Sequence, residues 1–465
     1  MRSFPLYLIL ISIACAGAGP APAQDILWTQ TFGGGGYDYA ESMEQTTDGG
    51  FIIAGYGSSF AVGSWDVYLI KTDESGDTLW TRTYGDVSTD VATGVTQTAD
   101  GGYAVSMTEG IGNLLRVDAS GDSLWTRDYE MQAYSVQATT DGGYIIAGRR
   151  GGHCYLVKTD ADGDAVWRNA YPGGEYSVAF SVAEVSGGGY VTGGSAYTGI
   201  GDWDYHIVRT AEDGTQLWNR TYGRVLEPDE GWALCESDDD GFVITGLFFA
   251  TLKVDAAGDS VWSCGFGTGE IGCALSISPT LDQGFLVGGY VNPYGLDEGE
   301  YYLVRIDGQG HLCWERYYGA GDGSFDHGFC ARPTQDGAYA MVGWSDAFGA
   351  GDMDIWLLRI NVEGSSVGAP DESRARPTLI VPSPSMGSAE AHLFYLVPEP
   401  CRVQLEVFSP LGRRLYKTIR HHAAAGRHDL IWNHRGRPAG VYFVRLSSGA
   451  SVQSRKLVLL GNSKE

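Results

Sequence analysis

One pattern recurs seven times between Trp28 and Val367: an aromatic strand, an Asp-Gly-Gly turn, two apolar strands, an Asp-x-x-Gly turn and a Trp. The clearest copy holds Thr47-Asp48-Gly49-Gly50, Phe51-Ile52-Ile53-Ala54-Gly55, Val67-Tyr68-Leu69-Ile70-Lys71 and Asp73-Glu74-Ser75-Gly76, and ends at Trp80. From Trp28 onward, intervals of 52, 45, 42, 51, 44 and 52 residues lead to Trp80, Trp125, Trp167, Trp218, Trp262 and Trp314. A repeat of this length, all strand and turn, confines the chain to radial or stacked β architecture. Asp-Gly between two apolar runs is hairpin chemistry, and four antiparallel strands per copy make a propeller blade. The reading is therefore all-β: a seven-bladed β-propeller over 24–369, with a stacked solenoid as the alternative. The last copy stops at Asn361-Val362-Glu363-Gly364 without its Trp strand, while Ile26–Gln30 stands unpaired at the start. The N-terminal strand is thus expected to complete the seventh blade and close the ring, which removes its open edges.

Charge divides the chain unevenly. Residues 371–465 carry 14 basic and 7 acidic side chains, whereas residues 1–370 carry 17 basic and 50 acidic ones. A body this acidic repels phosphate backbones and argues against nucleic-acid binding; it suits cations, basic surfaces or plain solubility. At the N-terminus, Arg2, the apolar stretch Phe4–Ala14 and Ala21-Pro22-Ala23 read as a signal peptide (1–23) cleaved after Ala23. No apolar run is long enough to span a bilayer, so a secreted or cell-surface protein is expected, acting as a monomer. The cysteines beyond the leader form no C-x-x-C pair, and a Cys264–Cys273 bridge is one reading of their spacing.

The Gly-to-Trp interval is four residues in all six complete copies, as from Gly163 to Trp167, so the Trp must hold a fixed place between blades. This pattern resembles the tryptophan-docking motif of quinoprotein-type propellers. It differs in placing Asp three residues before Gly (Asp73 to Gly76, Asp118 to Gly121) and in carrying Ala211 at one Asp position. The resemblance supports the architecture, and no cofactor is expected from it. After a Pro- and Ser-rich linker at 370–384, the chain alternates again. Phe408-Ser409-Pro410-Leu411-Gly412-Arg413, Ala425-Gly426-Arg427-His428, Ala439-Gly440-Val441-Tyr442-Phe443 and Lys456-Leu457-Val458-Leu459 follow in order. These motifs resemble the C-terminal sorting domain of type IX secretion cargo and, equally, the Ig-like domain of the flagellar hook-capping protein. The resemblance implies a small Ig-like β-sandwich at 385–465, with type IX-like secretion machinery as partner. Pro382-Ser383-Pro384 replaces the usual Pro-Asn-Pro, and Gly461–Glu465 extend past the usual end. A plain Ig-like accessory domain is the alternative.

No G-x-S-x-G, H-E-x-x-H or phosphate-binding loop is present, and no catalytic residue is assigned. Asp38, Asp90, Asp229 and Asp326 hold equivalent places ahead of the first strands, and Asp66, Asp204, Glu300 and Asp354 do so at the third strands. Calcium takes oxygen ligands of this type, but recurrence in several blades equally suits turns held by side-chain-to-backbone hydrogen bonds. Copies one, four, six and seven carry long connections between the second and third strands. These hold Phe60, Trp65 and Asp66; Tyr197, Trp203 and Asp204; Tyr294; and Phe348 and Asp354. Length variation on a fixed scaffold marks a binding face for a glycan or peptide; alternatively, these aromatics only cover the loop bases. The functional expectation is a binding or scaffold module. Its rival is an extracellular enzyme, glycan-active or quinone-dependent, working in the central channel.

Overall fold

The computed structural model describes residues 26–199, 203–223, 229–266, 271–292, 299–320 and 324–361 of the repeat region. Beyond it, the described residues are 378–380, 390–397, 402–409, 413–421, 426–435, 437, 440–448 and 451–459. The stretch read as a signal peptide, Tyr294 and Cys401 lie outside the described residues, as do most of the stretch read as a linker and parts of the C-terminal motifs. The chain divides into two compact units, Met1–Gly364 and Ser365–Glu465.

The first unit is a seven-bladed β-propeller of four-stranded antiparallel sheets. Blade 1 runs Asp38–Gln45, Phe51–Gly57, Asp66–Thr72 and Thr78–Tyr84, each strand paired with the next. Burial explains its residue pattern. The second and third strands are buried at nearly every position, being covered on both faces by neighbouring blades, and so read as continuous apolar runs. The fourth strand lies at the rim and is mostly exposed. Between blades 1 and 2, Ile52, Ala54, Val67 and Leu69 pack against Ala92, Tyr103 and Val105. The ring closes as the sequence indicates: Ile26–Phe32 pairs antiparallel with Asp354–Ile360 and becomes the outer strand of blade 7.

Each repeated residue has a defined task. Trp80, Trp167, Trp218 and Trp262 donate their indole N–H to carbonyls in the third-to-fourth-strand turn of the next blade, at 2.9–3.2 Å. The glycine of that turn must lie against the ring: a Cβ on Gly163 would stand 2.6 Å from Trp125. Tyr129, Tyr171 and Tyr222 add hydroxyl bonds to the same glycines' carbonyls. In six of the seven blades, the Asp of the first hairpin pairs with a cation on the third strand, as in Lys71–Asp48, Lys158–Asp141 and Lys253–Asp239; in blade 4, whose hairpin has no Asp, Arg209 donates to the Gly188 carbonyl. Desolvation would raise the Asp141 carboxyl, but Lys158 and the Thr139 hydroxyl hold it down at about 2. Blade 5 shows the displaced motif plainly. Asp239 takes the pairing role, while Asp240 stands at the left-handed position (φ 61°) that glycine fills in blade 1.

The second unit contains a three-stranded sheet, Thr378–Ile380, Glu390–Val397 and Gly426–Asn433. A four-stranded sheet joins Arg414–His421, Arg402–Phe408, Gly440–Ser448 and Ser451–Leu459. Leu430 and Trp432 of the first sheet share a core with Val403, Leu405, Tyr442 and Val444 of the second. Thr378–Ile380 falls inside the stretch read as linker, yet it pairs with Phe394–Leu396, where its backbone N–H and C=O groups find partners along the strand's open edge. No helix among the described residues is long and apolar enough to cross a membrane.

Candidate functional site

The carboxylates at the strand starts are largely buried and already engaged. Asp38 accepts the Gly34 N–H at 2.9 Å and the Ser59 hydroxyl at 2.5 Å. Asp90 takes the Asp86 N–H at 3.1 Å and the Ile111 N–H at 2.6 Å. Asp326 takes the Ala320 N–H at 2.9 Å and the Ser324 hydroxyl at 3.1 Å. On the third strands, Asp66 holds the Val62 N–H at 2.9 Å. Asp354 holds the Ala350 and Gly351 N–H groups, and Asp204 the Thr198 hydroxyl. Glycines leave room where these carboxylates meet. A Cβ on Gly33 would stand 1.8 Å from Asp354 and 2.7 Å from Asp38, and one on Gly85 would crowd Asp66 and Asp90 alike. Glu300 and Asp326 flank Gly319 in the same way, and Asp229 begins the junction after Asp204. These positions follow the four long connections, so their first task is to tie those loops to the next blade. Burial raises the carboxyls of Asp38, Asp90 and Asp326 above the usual range. A calcium ion here would compete with the N–H donors, and no three acidic, His or Cys side chains converge among the described residues.

The loop aromatics separate into small groups. Phe60 is half exposed and rests on Tyr68, with ring centroids 5.5 Å apart. Phe348 stacks on Trp356 at 4.6 Å, and Tyr197 and Tyr176 both meet Trp203 at 5.9 Å. Trp65 alone joins a larger cluster, with Tyr37, Tyr39 and Tyr56. Trp344 continues it to His327, which stacks on Tyr290 at 3.9 Å. Cys264 and Cys273 are both free thiols, so the bridge that was one reading of their spacing does not form. Cys264 is instead a core residue of blades 5 and 6, beside Phe249 and Phe266.

The concave site lies elsewhere. In all seven blades, the first strand carries a β-bulge that leaves one residue unpaired. Those residues are Glu41, Thr93, Tyr134, Phe180, Trp232, Leu275 and Phe329, each half-buried at the axis. Together they ring a cavity of about 700 Å³, which reaches the face of the first hairpins at Ser186, Asp238 and Asp240. That is the face opposite the long connections, where the sequence places the ligand. The bulge has a local cause. A Cβ on Gly55, Gly148, Gly194, Gly246, Gly289 or Gly343 would stand 1.7–2.0 Å from a first-strand carbonyl, so glycine in the second strand admits the bulge. The ring was findable: it is the third residue after Asp38, Asp90, Asp229 and Asp326.

The wall is chemically two-sided. Tyr134, Phe180 and Trp232 form an aromatic ladder, with centroids 5.0 and 4.5 Å apart. Glu41 stands in blade 1, opposite blades 4 and 5. Burial in the wall pushes its carboxyl up to about 8, against the lowering influence of the Tyr56 hydroxyl. The cavity also meets Glu44, Glu184, Glu236, Asp238 and Asp240, against the single guanidinium of Arg332.

This is a seven-bladed β-propeller with a separate C-terminal β unit. No family model and no curated protein matches the chain. Among solved structures, it is similar to a Bacteroides caccae protein of unknown function at 13% identity and TM-score 0.40, over 54% of this chain and 90% of that one. It is also similar to PorZ, a bacterial surface component of the type IX secretion system of Porphyromonas gingivalis, at 10% identity and TM-score 0.43, over 96% of this chain and 61% of that one. A third likeness is to YCF48 bound to D1 peptide, at 11% identity and TM-score 0.47, over 75% and 99%. These likenesses concern the fold alone.

Proposed function

We propose that the protein is an exported, surface or extracellular β-propeller acting as a binding module, delivered by residues 385–465 through type IX-like secretion machinery. The channel carries the binding role. Five of its seven ring residues are aromatic or apolar, yet they remain half-buried around open space instead of filling it. The signal-like N-terminus and the four ordered C-terminal motifs support export. Two experiments test this reading. Glycan and peptide panels should yield a ligand that Phe180→Ala and Trp232→Ala abolish; a ligand indifferent to both would remove the channel from the reading. Deleting residues 371–465 should trap a folded propeller in the periplasm, and unimpaired secretion would refute the delivery role.

A second reading is an extracellular glycan-active enzyme. The observation favouring it is Glu41, a carboxyl raised to about 8 by burial in the wall of the cavity, as a general acid requires. It predicts turnover on a polysaccharide panel that Glu41→Gln eliminates. Binding without turnover favours the first reading.

A further inference from the structure

We propose that the channel binds a primary ammonium group carried on a flat apolar body. The inference rests on the binding-module reading and names the class of ligand for that same channel. Two features of the wall converge on it. The first strands follow one another around the axis in chain order, so Phe180 and Trp232 face Glu41 across the cavity. A flat apolar body set against the ladder of Tyr134, Phe180 and Trp232 directs a short substituent toward Glu41. Ring faces attract cations as well as apolar surface, so the ladder tolerates an ammonium-bearing guest.

The charge on the wall selects the sign of that substituent. Besides Glu41, five carboxylates and one guanidinium, Arg332, border the cavity, so an anionic guest is repelled and a cation is drawn in, and a cation beside Glu41 favours its ionised form. Glu44, Glu184 and Glu236 are partly occupied, because they accept backbone N–H groups of Gln97, Thr140 and Ser186 at junctions between blades. Glu41 is differently placed. It projects from a bulge, its carboxyl meets the neutral Tyr56 hydroxyl and no backbone N–H at a junction, and its neighbours in the ring are Thr93 and Phe329, neither of them a cation.

The test compares three indoles of one shape on the unaltered full chain by isothermal titration calorimetry: tryptamine, tryptophol and indole-3-acetate. Tryptamine should bind at one site per chain, at least tenfold more tightly than tryptophol, with indole-3-acetate undetected. Glu41→Gln should reduce tryptamine to the level of tryptophol without lowering the melting temperature, and Trp232→Leu should weaken both. Equal binding of the three indoles, or a Glu41→Gln chain that binds tryptamine unchanged, overturns the proposal. The comparison on the unaltered chain stands even if a variant misfolds. If a glycan or peptide enters the channel while tryptamine does not, the ammonium assignment fails and the binding module survives; if nothing binds, both fall.

Discussion

Asp38 shows how one residue type can look like a ligand set and serve as a tie. Its carboxylate holds the Gly34 N–H and the Ser59 hydroxyl, while its other oxygen, Oδ1, is buried without a partner. Burial, with a smaller contribution from Asp354, raises its pKa, so the folded state prefers the protonated form. That preference stabilises the fold below the ordinary carboxylate pKa and is lost as pH rises through the raised value. Asp38→Asn keeps an acceptor and removes the charge, so its melting temperature relative to the parent should be higher at pH 7 than at pH 4. Asp38→Ala strands two donors and should cost about 1–3 kcal/mol at either pH. Scanning fluorimetry at both pH values checks the pair, and an Asn variant that loses as much as Ala at pH 7 would refute the account. Asn113 shows that the amide works at a third-strand start, accepting from Tyr129 and donating to Met131. In the sequence these acids were legible as equivalent positions, but their partners were not, because backbone N–H groups leave no trace in residue identity. Phe348 and Phe60 likewise look like a ligand face in sequence, where nothing distinguishes an aromatic covering a loop base from one awaiting a ligand.

The elements of a blade are specified locally, which is why the repeat could be read so far. Each first hairpin turns through a left-handed residue, and Gly49, Gly101, Gly142 and Gly337 adopt it with φ of 83–86°. Gln283 holds the same place in blade 6 at φ 64°, a conformation costly for a side chain. Gln283→Gly should therefore stabilise the propeller by about 1 kcal/mol, measured by denaturant unfolding; a loss would show that the Gln side chain contributes more than the backbone strain removes. The junctions between blades make the converse point. Trp167 packs on Gly214 and donates to the Glu212 carbonyl. Trp167→Ala should cost about 2–3 kcal/mol and Trp167→Phe about half as much; equal losses would assign the effect to the hydrogen bond alone. The Gly-to-Trp spacing announced this contact. The bulges were harder to see, since a single extra residue does not disturb an alternating pattern enough to be noticed, although the glycine opposite most of them was plain.

At the scale of the whole molecule, closure depends on one strand. Deleting residues 24–32 should leave blade 7 with three strands and expose Asp354–Ile360 as an edge. The expected result is a lower melting temperature together with concentration-dependent association in light scattering. A monomer of unchanged stability would mean that the ring holds without its clasp. The incomplete last copy revealed this closure, because a ring of like units makes a missing piece at one end and a spare piece at the other add up. The opposite-face position of the cavity was not legible, since it depends on where seven bulges converge in space. The clasp also imposes an order in time. Ile26 meets Ile360, so the segment made first is the last to find its place. A chain fed through a pore from its N-terminus can pass as separate, unlocked blades, and it becomes a sealed ring only once nearly all of the propeller has emerged.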